Sequence, residues 1–182
     1  MLTHENTVLV VVDIQERLAP SIYNHESLIK NTAACISSCK LLDIPIIVLQ
    51  QYTKGLGETV PALQDALGDF EPVEKITFSA CQNEEFMTRL AKTGKKNVIV
   101  VGMEAHICVQ MTALELLQAR YDVYVAPDCI GSRKDANRVY AENRMRHDGA
   151  VITPLESILF EMLVRADHPM RKEITKLIVA LE

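Results

Sequence analysis

Apolar residues in this chain gather in short dense runs, and between the runs they recur every three or four positions. The runs are Thr7–Asp13 (TVLVVVD), Pro45–Tyr52 (PIIVLQQY), Val73–Thr77, Asn97–Val101, Asp122–Ala126 and Ala150–Ile152. They read as strands, and Thr7–Asp13 does not alternate, the pattern of a strand buried on both faces. The intervals read as helices: Glu26–Leu42, Val60–Leu67, Glu84–Thr93 stopped by Gly94, and Cys108–Arg120. Ser132 with Asp135 fits a capping box for a helix running to His147. Thr153-Pro154-Leu155-Glu156 has the composition of a helix start, and that helix runs to about Arg165. Thr53–Gly57 reads as a loop, and Met170–Leu181 as a last helix beyond the repeating pattern.

Strand and helix thus alternate six times, with no repeat and no linker. That order predicts a parallel sheet covered on both faces, in a single domain spanning residues 1–182. In such sheets ligands bind beyond the carboxyl ends of the strands, where strand order reverses.

The stretch Asn97–Gln118 draws the polar residues into this frame. A buried strand ends at Gly102, a short turn follows, and Cys108 opens a helix. A helix N-terminus offers free N–H groups and the positive end of the dipole, which favour a thiolate and suit a developing oxyanion. The competing reading is a small buried hydrophobe, the commonest state of a free cysteine. Asp13 closes the first strand and Lys75 lies in or just after the third. On a doubly wound sheet all three converge on one rim, as nucleophile, proton carrier and cationic support for acyl transfer. Taken singly, Asp13 also suits a turn cap, and Lys75 a surface position on an edge strand.

Composition narrows the partners. The net charge of −5 and the lack of a basic cluster with aromatics argue against nucleic acid. No apolar run approaches the length of a membrane helix, and MLTHENT has no features of a secretory signal. Five cysteines, an odd number, suit reduced thiols in a cytoplasmic setting. Cys35 and Cys39 lie four apart on one helix face, but no second pair has matching metal-site spacing, so they read as buried small residues. The turn DIQERLAPS after the first strand has no glycine, which excludes the dinucleotide fingerprint, and no phosphate-binding loop is present.

Three segments together resemble the isochorismatase-like cysteine hydrolase family. They are Val11-Val12-Asp13-Ile14-Gln15, Glu74 to Ala80 (EKITFSA), and Gly102 to Val109 (GMEAHICV). Asp128 to Arg133 (DCIGSR) fits the stretch after the fifth strand, and the likeness runs from about Thr7 to Leu163. The resemblance implies a three-layer Rossmann-like fold with strand order 3-2-1-4-5-6. It implies an Asp13–Lys75–Cys108 triad, and a cis peptide at Met103–Glu104 that turns backbone N–H groups, including that of Cys108, toward an oxyanion. Substrate contacts would fall on Gln15, Tyr52, Phe78, Ala105 and His106, with pocket walls partly from a neighbouring subunit of a homo-oligomer (dimer or higher). The metal-binding branch of the family has His and Asp where this chain has Gln50-Gln51-Tyr52-Thr53-Lys54. Neither a metal nor any other cofactor is therefore expected. Many amidase members have Thr-Asp in place of Ala105-His106, which leaves the substrate open. His106 and His147 could titrate in the pocket or simply be solvated or hydrogen-bonded. The implied reaction is hydrolysis of a small amide-type (C–N) or related substrate through a Cys108 thioester. The alternative is a weakly active or inactive family member acting as an oligomeric binding or scaffold protein.

Overall fold

A computed structural model describes residues 2–181. Six parallel strands form one sheet in the order β3-β2-β1-β4-β5-β6. They are β1 (Thr7–Val12), β2 (Ile46–Gln51), β3 (Val73–Lys75), β4 (Asn97–Met103), β5 (Asp122–Gly131) and β6 (Val151–Ile152). The helices are α1 (His25–Leu41), α2 (Thr53–Leu56), α3 (Pro61–Leu67), α4 (Glu84–Thr93), α5 (Gln110–Gln118), α6 (Asp135–His147), α7 (Leu155–Leu163) and α8 (Arg171–Val179). Among the described residues no helix is long and apolar enough to cross a membrane.

The non-alternating strands are explained by two cores. Leu9 and Val11 of β1 face a core with α1, α3, α7 and α8, while Val8, Val10 and Val12 face one with α4, α5 and α6. Every residue of β1 and β4 is buried. The two strands pair from Thr7↔Asn97 to Val12↔Gly102, and the reversal of strand order falls between them.

Several expected boundaries move, each for a local reason. β4 does not stop at Gly102 but runs through it to Met103. Gly102 has φ +141°, and a Cβ there would lie 2.1 Å from the Val12 carbonyl oxygen. Glycine is therefore what lets β1 and β4 close on each other at their carboxyl ends. β5 continues past Pro127 because the register jumps between Val100↔Val125 and Gly102↔Ile130, and the proline sits in that irregularity. Thr53–Leu56 is one helical turn rather than a loop. The capping box at Ser132 does not form, since the Ser132 hydroxyl is hydrogen-bonded to His106. Nor does Thr153 cap α7: both Asp128 carboxylate oxygens accept from Leu155 N, at 3.0 and 3.2 Å.

The expected apolar stripe on the last helix divides. Ile174 and Ile178 are buried in the chain's own core. Leu177 instead lines a 500 Å³ groove with Leu41 and Ala66.

Candidate active site

β1 and β2 each end in a residue with left-handed backbone, Asp13 (φ 54°) and Tyr52 (φ 38°). Short polar side chains tolerate this region better than most, and at Asp13 it ends the strand and swings the carboxylate off the sheet edge. Lys75 ends β3, directly paired with Gln51 of β2. Beyond β4 the Met103–Glu104 peptide is cis. The chain then makes a π-helical turn, Ala105–Val109, before α5. Cys108 thus lies within this turn rather than at the head of an α-helix. Ile107 N and Val109 N both donate to the Glu104 carbonyl, at 3.1 and 3.2 Å, so the Cys108 amide stands between two that are already engaged.

The structure brings Asp13, Lys75 and Cys108 together. Lys75 Nζ donates to Asp13 Oδ2 at 2.7 Å and to Gln51 Oε1 at 2.6 Å, and the carbonyls of Thr77 and Phe78 each lie 3.2 Å away. Lys75 and Asp13 are almost wholly buried, at 1% and 0% exposure. The other Asp13 oxygen, Oδ1, is buried with no hydrogen-bond partner. A buried carboxylate oxygen without a donor is unusual, and marks a place where a proton or a substrate N–H can be received.

Electrostatics here runs against the sequence-based expectation of a ready thiolate. The Cys108 thiol is pushed up to about 12, first by burial and next by the Asp13 charge, against the opposing effect of Lys75. The ammonium that was to stabilise a thiolate is already paired with a carboxylate. Burial likewise pushes the Asp13 carboxyl above its ordinary range, although the charge and hydrogen bond of Lys75 pull it down. Burial and the neighbouring Asp13 thus favour the thiol over the thiolate at Cys108.

A measurable sign reversal follows. Asp13→Asn removes the charge that opposes ionisation and leaves the Lys75 ammonium facing the thiol. Alkylation of Cys108 at pH 8 is expected to rise about tenfold, one unit of thiol acidity, while turnover collapses for want of a proton carrier. Mass analysis of the Cys108 peptide after iodoacetamide treatment at several pH values checks this; a slower or unchanged reaction would remove Asp13 from the thiol's surroundings.

The remaining expected contacts divide. Gln15 is fully buried, and its amide nitrogen donates to the carbonyls of Gln51 (3.1 Å) and Gly57 (2.6 Å) while its oxygen accepts from Gln51 N (2.8 Å). Both amide hydrogens are used, so Gln15 braces the β1–β2 edge. Ala105 is buried in the core beneath the turn. Tyr52 and Phe78 are more than half exposed at the rim, near the exposed Ile76. The Tyr52 ring lies over Gly55, where an added Cβ would be 2.5 Å from it.

His106 is held at both nitrogens. Asn137 Nδ2 lies 3.3 Å from Nε2, Ser132 Oγ 2.9 Å from Nδ1, and Glu104 Oε2 3.4 Å from Nδ1. Glu104 also accepts from Arg133 Nε and Arg133 N. His106 therefore ties the Cys108 turn to the start of α6, and His147 lies far along α6 at its other end. Sequence reasoning missed the second lysine partner, Gln51, although its pairing with Lys75 follows from strand order 3-2-1 once the register is set. It also missed the Glu104–Arg133, His106–Ser132 and His106–Asn137 contacts, for which no local pattern exists.

Cys35, Cys39 and Cys129 are buried and unpaired in the opposite core. Among the described residues no group of three His, Cys, Asp or Glu side chains gathers as a metal site would require.

The molecule is an α/β protein with a six-stranded doubly wound sheet, and a buried carboxylate, an ammonium and a thiol lie beyond the ends of β1, β3 and β4. The isochorismatase domain matches residues 7–157, and the chain belongs to the isochorismatase family. It is 34% identical over 178 residues to isochorismatase domain-containing protein 2 of Danio rerio, covering 97% of this chain and 89% of that protein. The solved structure of MAR1 ribonuclease from Caenorhabditis elegans superposes with TM-score 0.92 at 37% identity, covering 98% and 92% of the two chains. The Escherichia coli YcaC gene product, an octameric hydrolase of unknown specificity, shares the fold with TM-score 0.88 at 24% identity, covering 99% and 88%. Family membership supports a role as a hydrolase.

Proposed function

We propose that the protein is a cysteine hydrolase that cleaves a small amide-type (C–N) or related substrate through a Cys108 thioester. The observation that carries the reading is the buried Asp13–Lys75 pair beside the thiol, with Asp13 Oδ1 left unpartnered. Cys108 Sγ attacks the substrate carbonyl carbon as its proton passes to Asp13. The oxyanion faces backbone N–H groups of the turn, that of Cys108 among them. Asp13 returns the proton to the leaving nitrogen as the C–N bond breaks. Water, deprotonated by Asp13, then attacks the thioester and releases a carboxylic acid, restoring the thiol. Throughout, the Lys75 ammonium offsets the negative charge that moves between Asp13 and sulfur.

The substrate is a small molecule, in keeping with the net charge of −5. Because a relative at 37% identity is named a ribonuclease, RNA belongs in the same test. A panel of small amides, ureides and RNA is to be incubated with the protein, and the Cys108 peptide examined for an acyl adduct. An acyl-thioester on Cys108 with amide turnover is expected. RNA cleavage without an adduct would replace this reading, and no turnover with any of them would favour the binding or scaffold alternative.

We also propose a homo-oligomer in a reducing, cytoplasmic setting. The exposed apolar rim of Tyr52, Ile76 and Phe78 and the groove at Leu177 are surfaces that a second copy would cover. The related fold in YcaC is octameric, and all five cysteines here are free.

A further inference from the structure

Lys75 is held by a loop, and the loop is held by the helix that follows Cys108. Two of the four oxygens around Lys75 Nζ are the carbonyls of Thr77 and Phe78. The segment 77–82 carries those carbonyls, and it is pinned at three points. Thr77 Oγ1 donates to Ser79 O at 2.8 Å within the loop. Ala80 N donates to Thr112 Oγ1 at 2.9 Å, with both residues fully buried. Glu115 Oε2 accepts from Ser79 Oγ at 2.9 Å and from Gln82 Nε2 at 2.7 Å. Thr112 and Glu115 lie on α5, which continues directly from the π-helical turn that carries Cys108.

We propose that Thr112, with Glu115 in support, is a positioning residue: it locks the loop that holds Lys75 to the helix that follows the Cys108 turn and so sets the reactivity of Cys108. The inference rests on the Asp13–Lys75–Cys108 reading but can be tested without any substrate. Lys75 and Cys108 come from separate strands, and these hydrogen bonds are a direct mechanical tie between the loop after one and the helix after the other. An unpaired Ala80 N–H in this dry contact would have to move toward water, taking the Thr77 and Phe78 carbonyls, and with them the ammonium, off register.

Thr112→Val keeps the shape and removes the acceptor; Thr112→Ser keeps the acceptor. The rate of Cys108 alkylation by iodoacetamide, read on the Cys108 peptide at fixed pH between 8 and 10, is expected to fall about tenfold in Thr112→Val, one unit of thiol acidity, and to be restored in Thr112→Ser. Glu115→Ala gives an independent reading through a well-tolerated helix substitution, should Thr112→Val fold poorly. The Glu115 charge bears on the Cys81 thiol and is not among those acting on Cys108, so slower alkylation of Cys108 reports a displaced lysine. The proposal is overturned if Thr112→Val reacts like the parent, if Thr112→Ser slows equally, or if Glu115→Ala reacts faster. If Cys108 proved unnecessary for turnover, the catalytic reading would fail while these alkylation rates would still decide the positioning role.

Discussion

Cys108→Ala is expected to lower turnover of any authentic substrate by at least ~10⁴-fold, the scale seen when a covalent nucleophile is removed. The fold should survive, because the residue lies in a turn and the substitution removes a single sulfur atom at the edge of its core. Cys35→Ala, Cys39→Ala and Cys129→Ala supply the contrast. Those three are fully buried away from Asp13 and Lys75, so they should lower the denaturation midpoint and leave the rate per folded molecule unchanged. Steady-state kinetics beside urea unfolding separates the two effects. Turnover at the parent rate in Cys108→Ala would sink the thioester route.

Lys75→Met is expected to have the largest effect on stability. It leaves the Asp13 carboxylate buried without its counter-ion, a change that costs about 3–5 kcal/mol in comparable buried pairs. Its pH dependence follows from the direction of the Asp13 shift. The folded-state carboxyl is already raised above its unfolded value by burial, so this group's contribution to stability falls as pH rises through the interval between the two. Removing Lys75 takes away the opposing pull, raises the folded value further and widens that interval. The loss in Lys75→Met should therefore be largest near neutral pH and shrink in mildly acidic solution, as the lone carboxyl takes up a proton. The double variant Asp13→Asn/Lys75→Met, with no charge left to bury, should recover most of the stability. Urea unfolding at both pH values measures this; a double variant no more stable than Lys75→Met would mean that the pair is not the source of the loss.

Much of this architecture is legible in the sequence because burial leaves a one-dimensional trace. Runs such as Val8–Val12 and Val98–Val101 can only be strands covered on both faces, and their alternation with helices leads to the observed sheet. The family resemblance supplied the strand order and the positions of Asp13, Lys75 and Cys108, which the fold then brings to one place. Features that depend on contacts between distant segments left no such trace. Pro127 looks like a strand terminator until the register shift against β4 is known. Ser132 looks like a helix cap until His106 claims its hydroxyl. The bracing of the β1–β2 edge by Gln15, through Gln51 and Gly57, is equally invisible in the local sequence. The thiol's resistance to ionisation was hidden for the same reason: local sequence shows a cysteine near a helix start, whereas burial and the pairing of Lys75 with Asp13 arise only in three dimensions.

Gly102 divides the site into a part that cannot be redesigned and a part that can. Any side chain at this position would drive into the Val12 carbonyl, one residue before Asp13, so the close approach of β1 and β4 depends on the bare main chain. Tyr52, Ile76 and Phe78 at the rim carry exposed side chains that the sheet does not depend on for packing. Exchanging rim residues would thus leave the meeting of the two strands undisturbed, whereas a side chain at position 102 would force them apart.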